Sequence, residues 1–409
     1  MVTMMSDTLI KNNQTLQSVF FPMTNVIQNY AWGSTTSVNQ LFGIENPTGE
    51  PQAEIWMGAH ANGCSVVETN GQTTKLSQLI EENLSQVLSE RVANRFGELP
   101  YLFKVLAAEK ALSIQVHPNK QQAENGFALE EQQGIAHSAG NRNYKDPNHK
   151  PELVYALTQY QAMNGFRPIK EIINNFERLE IAELTPLVND LSDNQNSEGL
   201  AHFFSGLLSL EGEQKEMALA AFLAQANASN DPLLVLISEL ETQYSGDIGL
   251  FAPLMLNVLT LEPGQAMFLD AETPHAYIKG TGLEIMANSD NVLRAGLTPK
   301  YMDIDELVAC TIFEEKPFDT LLLEPNVNDG VLEYPIPVED FKFAIIPSST
   351  DRMIEIDSAE ILLPLDGSMT LTHNNGQSCV IEKGQSVFVP AYAQSYTLES
   401  QGRVARAYS

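Results

Sequence analysis

Gln115 and His117 stand two positions apart in ALSIQVHPNKQQA, residues 111–123, inside a run that is otherwise largely apolar. Alternate residues of a strand project from one face, so both polar side chains would point together into an interior. One divalent metal could take both. Imidazole is a common transition-metal ligand, and a carboxylate with a second histidine would complete a four-coordinate zinc shell. The competing reading of His117 is a histidine satisfied within an ordinary core, because a single QxH spacing is not specific.

The chain has seven histidines, at 60, 117, 137, 149, 202, 275 and 373, which narrows the choice of a partner. His275 follows a proline bend in DAETPHAY, and Glu152 opens an apolar run after Pro151 in NHKPELVYAL. A carboxylate there needs a reason, since a buried one is costly unless paired or on a metal. His149 reads as a loop residue near the site. His202, in a helical apolar pattern, and His373, in a THNNG turn, read as structural, as do Trp32 and Trp56. Lys104, Lys150, Arg294 and Lys300 lie near these motifs and together suit an anionic group, most simply a phosphate. Each alone could equally pair with one of the many acidic side chains.

The elements that must position these residues alternate in kind along the chain. Residues 18–160 are rich in short apolar or alternating runs broken by Gly, Pro and Asn, which is strand chemistry, with one helical candidate at KLSQLIEENLSQVLSERVANRF. From about 166 to 254 the period becomes helical, with Ile169, Ile172, Ile173 and Phe176 on one face and an Asp231-Pro232 start signal later. Strand character then returns, interrupted by a helical patch near 303–310. LEPGQAMFLDAETPH (261–275) echoes IEKGQSVFVPAYAQS (381–395) at an offset of 120, with identities at Glu262, Gly264, Gln265, Phe268 and Ala271. Each copy reads as a glycine turn, an inner strand and a tight bend of a jelly roll. His275 of the first corresponds to Ser395 of the second, so a ligand-bearing barrel would be the first one.

At 409 residues the chain can form two or three domains, and with 43% apolar residues and no low-complexity tract it should fold throughout. The N-terminus lacks a basic stretch followed by an apolar core, and no run is long and apolar enough to cross a membrane. Cys64, Cys310 and Cys379 are odd in number and far apart, as expected of a reducing, cytoplasmic setting. A formal charge of −29 opposes nucleic acid and anionic membranes as partners. An anionic ligand would require the few cations to gather locally.

Taken together, QNYAWGS, AEIWMGAH, PYLFKVLAAEKALSIQVHPNK, YKDPNHKPELVYAL, FLDAETPHAYIKG and GLEIMANSDNVLRAGLTPKYMDIDEL fall in order between about 22 and 310 and resemble the type I mannose-6-phosphate isomerases. The resemblance implies a mainly β fold with an α insertion. Its expected parts are a catalytic cupin-type jelly-roll barrel (18–165 and 255–315), an all-helical domain (166–254) and a C-terminal jelly roll (316–409). It implies one Zn2+ per chain on Gln115, His117, Glu152 and His275, with Arg294 catalytic. The proton carrier is left open among Glu284, Lys150 and His149, with Lys104 behind them. Lys104, Lys300, Ser113, Tyr277 and Asp290 are the expected substrate contacts. The implied reaction interconverts mannose 6-phosphate and fructose 6-phosphate through a cis-enediol, in a monomer whose partner is a small sugar phosphate. Ala61-Asn62 after MGAH departs from the Pro and Ser usual in relatives, outside the ligand motifs. An iron or manganese dioxygenase on the same scaffold, or a sugar-binding protein without activity, are the alternatives; a glutamine ligand and gathered cations have no obvious use in oxygen activation.

Overall fold

A computed structural model describes residues 18–69 and 71–409. The expectation of an N-terminus without an apolar leader rests mostly on residues 1–17, which lie outside those described. The chain divides into two compact units, one made of the described residues through Ala107 with Leu283–Asn288 and Glu324–Ser409, the other of Ala108–Gly282 and Ser289–Leu323.

The first unit is built from sheet. Nine strands hydrogen-bond in one sheet that brings Phe21–Thr24 beside Ser386–Val389, and a four-stranded sheet completes the C-terminal part. Val19, Phe20, Ile354, Leu371, Tyr396 and Leu398 pack in its core. The stretch expected to form one helix at 75–96 instead forms three, Leu76–Glu82, Leu84–Leu88 and Glu90–Phe96. Ser89 takes φ 86° and caps the last by accepting from Val92 N, and Asn83 takes φ −148° and ψ 50°, so the backbone leaves the helical region at both residues and breaks the run.

The second unit joins a sheet to a helical segment. Every helix from Ile169–Glu177 to Ala252–Met255 falls between the strands Tyr160–Phe166 and Leu256–Leu261, which pair antiparallel across the segment. The inward faces of those helices share one apolar core with Ile114 and with Val116, Ala276 and Leu293 of the strands. Asp231 caps Pro232–Glu241 by accepting from Leu233 N at 2.9 Å, as the Asp-Pro signal predicts.

The internal echo is also one of geometry. Gly264 and Gly384 both take positive φ (96° and 80°), and the amides of Glu262 and Glu382 donate to the side chains of Gln265 and Gln385. Ala266–Leu269 and Ser386–Val389 are both strands, and His275 and Ser395 each open the next one. A shared turn chemistry thus produces the same strand–bend–strand unit in both places.

Candidate metal centre

Register brings the predicted ligands together. His275 opens the strand His275–Ala287 and pairs with Gln115 of Gln115–Val116, which on its other side pairs through Gln115 with Arg294. Glu152, the first residue of Glu152–Ala156, lies opposite Leu269. The chain leaves the strand Gln115–Val116 through His117, Pro118 and a capping box at Asn119, whose side chain accepts from Gln122 N while Gln122 accepts from Asn119 N. Gln122 also donates to Glu272 Oε1 at 2.9 Å, tying that helix to the bend before His275.

His117, Glu152 and His275 offer ligand atoms that all lie within 4.8 Å of one another, the one such cluster of His, Cys, Asp and Glu among the described residues. Each is at most 2% exposed. His117 Nδ1 lies 2.7 Å from the carbonyl of Asn291, and His275 Nδ1 lies 2.9 Å from that of Thr273. A carbonyl only accepts, so both Nδ1 atoms carry the proton and both Nε2 lone pairs face inward. They approach Glu152 Oε1 at 3.3 Å and Oε2 at 3.6 Å. Lone pairs facing a carboxylate repel unless a cation sits between them, and His117 Nε2 is a buried atom with no hydrogen-bond partner. This geometry fits a metal ion.

The surrounding charges agree. Burial first, then the neighbouring Lys150 ammonium, lowers His117 to about 4, outweighing Glu152. Burial alone would raise Glu152, but the Lys150 ammonium holds its carboxyl well below the ordinary range. Lys150 Nζ lies 3.3 Å from Glu152 Oε1, and Tyr277 donates to Oε2 at 2.5 Å. Gln115 Nε2 donates to Ser113 Oγ at 3.4 Å, which leaves its Oε1 clear of that bond. Two imidazole nitrogens, a carboxylate and an amide oxygen are a donor set that suits zinc.

Arg294 and Lys300 form a second feature. Burial lowers the pKa of both, and for Lys300 the nearby Arg294 charge adds to it. No carboxylate offsets either shift. The segment between them is held by Asp247, whose carboxylate accepts from Leu297 N at 2.8 Å and Thr298 N at 3.0 Å. Gly296 takes φ 123° there, where a Cβ would lie 2.5 Å from Gly249 Cα. Asp290 donates its amide to Asp146 Oδ2 at 2.7 Å, and His149 directly precedes Lys150 in the chain.

Lys104 and Glu284 pair with each other in the first unit, at 2.7 Å, with Glu54 at 3.7 Å from the same ammonium and the Trp56 ring 5.4 Å beneath it. Glu54 also accepts from Trp56 Nε1 at 2.6 Å. Sequence reasoning overlooked Glu54, though a carboxylate two residues before a tryptophan in an apolar strand carries the same signal as Glu152. It overlooked Asn291 too, which sits in a polar stretch with no periodicity to mark it.

Models of three domains match the chain in order: phosphomannose isomerase type I, catalytic domain, over residues 20–169; its helical insertion domain over 172–256; and the mannose-6-phosphate isomerase cupin domain over 330–409. The chain is 47% identical to mannose-6-phosphate isomerase of Escherichia coli over 95% of its own length and 99% of that protein. It is 37% identical to the human protein of that name over 91% and 93%. A crystal structure of a mutant phosphomannose isomerase from Salmonella typhimurium superposes with a TM-score of 0.93 at 47% identity, covering 96% of this chain and all of that one. A zinc-bound mannose 6-phosphate isomerase does so at 0.91 with the same identity and coverage. The chain belongs to the type I phosphomannose isomerase family.

Proposed function

We propose that this chain is a zinc-dependent aldose–ketose isomerase that interconverts D-mannose 6-phosphate and D-fructose 6-phosphate. The observation that carries the reading is the pair of inward Nε2 lone pairs converging on a buried carboxylate, in a chain that matches enzymes of that name over nearly their whole length. Gln115, His117, Glu152 and His275 would hold the ion. When bound, zinc supplies a Lewis acid that polarises the sugar carbonyl and makes the neighbouring C–H acidic.

The remaining work falls to the side chains. In the aldose-to-ketose direction a base takes the proton from C2 and returns it to C1, while a hydroxyl proton passes from O2 to O1, so atoms balance. The base must reach both carbons. Glu284, Lys150 and His149 are the candidates. The Lys104 ammonium at Glu284 stabilises its ionised form and makes it a weaker base, whereas Lys150 stands directly beside Glu152. Arg294 stabilises negative charge developing on the sugar oxygens, because a guanidinium keeps its charge at any working pH. Lys300, with Ser113, takes the phosphate, supported by the lack of a carboxylate offsetting its lowered pKa. Tyr277 and Asp290 contact the sugar, Tyr277 from its place on Glu152. Lys104 enters only through its sequence motif, since Glu284 and Glu54 already offset its charge.

A monomeric, cytoplasmic protein completes the proposal; three free cysteines suit a reducing compartment, and among the described residues no helix is long and apolar enough to cross a membrane. The test is His275→Ala. We expect it to lose zinc, measured by elemental analysis, together with turnover of mannose 6-phosphate. An active, zinc-replete His275→Ala protein contradicts the ligand assignment.

A further inference from the structure

We infer that Asn291 is a positioning residue for the metal centre: its carbonyl fixes the His117 imidazole, and its side chain fastens the loop that leads into Glu152. The inference rests on the reading of His117 as a zinc ligand and extends it to a residue outside the ligand set.

Asn291 is fully buried, and all of its polar groups are engaged. Its carbonyl takes the Nδ1 proton of His117 at 2.7 Å, the bond that turns Nε2 inward. Its Oδ1 accepts from Lys145 N at 2.6 Å and Asp146 N at 3.2 Å, and its Nδ2 donates to the carbonyls of Asp146 at 2.7 Å and Asn148 at 2.8 Å. Its own amide donates to Ser289 Oγ at 3.2 Å. Only an amide side chain can accept from two main-chain N–H groups and donate to two carbonyls at once; aspartate has no donor and leucine neither. The fastened loop ends just before Lys150 and Glu152, so one side chain sets the spacing between an imidazole ligand and a carboxylate ligand that lie far apart in sequence. Groups that orient a ligand histidine typically change metal affinity or activity about 10–100-fold when removed.

The test measures metal release and ligand geometry rather than turnover. Zinc release from holoenzyme into a chromogenic chelator, and the visible spectrum of the cobalt-substituted protein, are compared for wild type, Asn291→Ala, Ser289→Ala, His117→Ala and Asn175→Ala. Asn175 is a buried asparagine of the helical segment that donates to Leu254 O at 3.1 Å, and serves as a control for lost stability alone. We expect zinc release about 10–100-fold faster with shifted cobalt bands in Asn291→Ala, a smaller change of the same sign in Ser289→Ala, and neither in Asn175→Ala. Wild-type release and spectrum in a folded Asn291→Ala, or acceleration in Asn175→Ala as large as at 291, overturns the inference. Should Asn291→Ala fail to fold, Ser289→Ala decides, and a wild-type release rate there overturns it. Zinc retained by His117→Ala defeats the ligand reading beneath it, whereas zinc lost there with Asn291→Ala unchanged defeats this inference alone.

Discussion

Glu152 is where the buried charges meet: two imidazole lone pairs, a lysine ammonium and a tyrosine hydroxyl all address its two oxygens. Without a bound cation, that arrangement keeps His117 uncharged. Its pKa is lowered from 6.5 to about 4, chiefly by burial. Between those values the unfolded chain binds a proton that the folded chain refuses, so stability falls as the pH falls through the window, and nothing is lost above it. We expect chelated protein to lose about 3 kcal/mol from this group between pH 7 and pH 4, read from urea unfolding, and the dependence to flatten in His117→Gln. An equal slope in the variant contradicts a neutral, buried His117. Gln115, His117, Glu152 and His275 stood out as candidates because alternation and proline bends mark polar residues in apolar runs, and the family resemblance grouped them; the fold brings His117, Glu152 and His275 together. Asn291 and the hydroxyl of Tyr277 on Glu152 did not stand out, because their partners are contributed by remote segments that local spacing does not encode.

At the level of elements, the two copies of the strand–bend–strand unit solve one problem in two ways. Glu152 pairs with Leu269 and Glu360 pairs with Val389, positions 120 apart on the repeated strand. Where His275 stands in one copy, Ser395 stands in the other, and there Arg406 Nε donates to Glu360 Oε2 at 2.7 Å while Tyr396 donates to Oε1. A guanidinium thus supplies, within the C-terminal copy, the positive charge that a buried carboxylate requires. Removing that cation by Arg406→Met should cost about 3–5 kcal/mol in urea unfolding, because Glu360 is left buried and uncompensated, while zinc content stays that of wild type. A neutral effect on stability would show that Glu360 is protonated or solvated instead. The echo was visible in the turn residues, whose hydrogen bonds are local. The break of 75–96 into three helices was not, because apolar periodicity continues across Asn83 and Ser89 while their backbone angles end each helix.

For the whole molecule, a charge of −29 makes the pair Arg294 and Lys300, which we propose to meet the anionic sugar, a local exception, and a chain of sheets and short helices with one long helical segment between two paired strands holds them. Composition and period could locate that segment and the β regions. They could not give the division into units, which depends on long-range pairing of strands from three stretches of chain. The most direct test follows formation of fructose 6-phosphate from mannose 6-phosphate by the purified protein in a coupled assay, before chelation, after it, and after zinc is returned. We expect turnover in the native protein, its loss with the removed zinc, and its recovery on adding zinc back. Undiminished turnover in fully stripped protein, or none in protein carrying its zinc, would contradict the account.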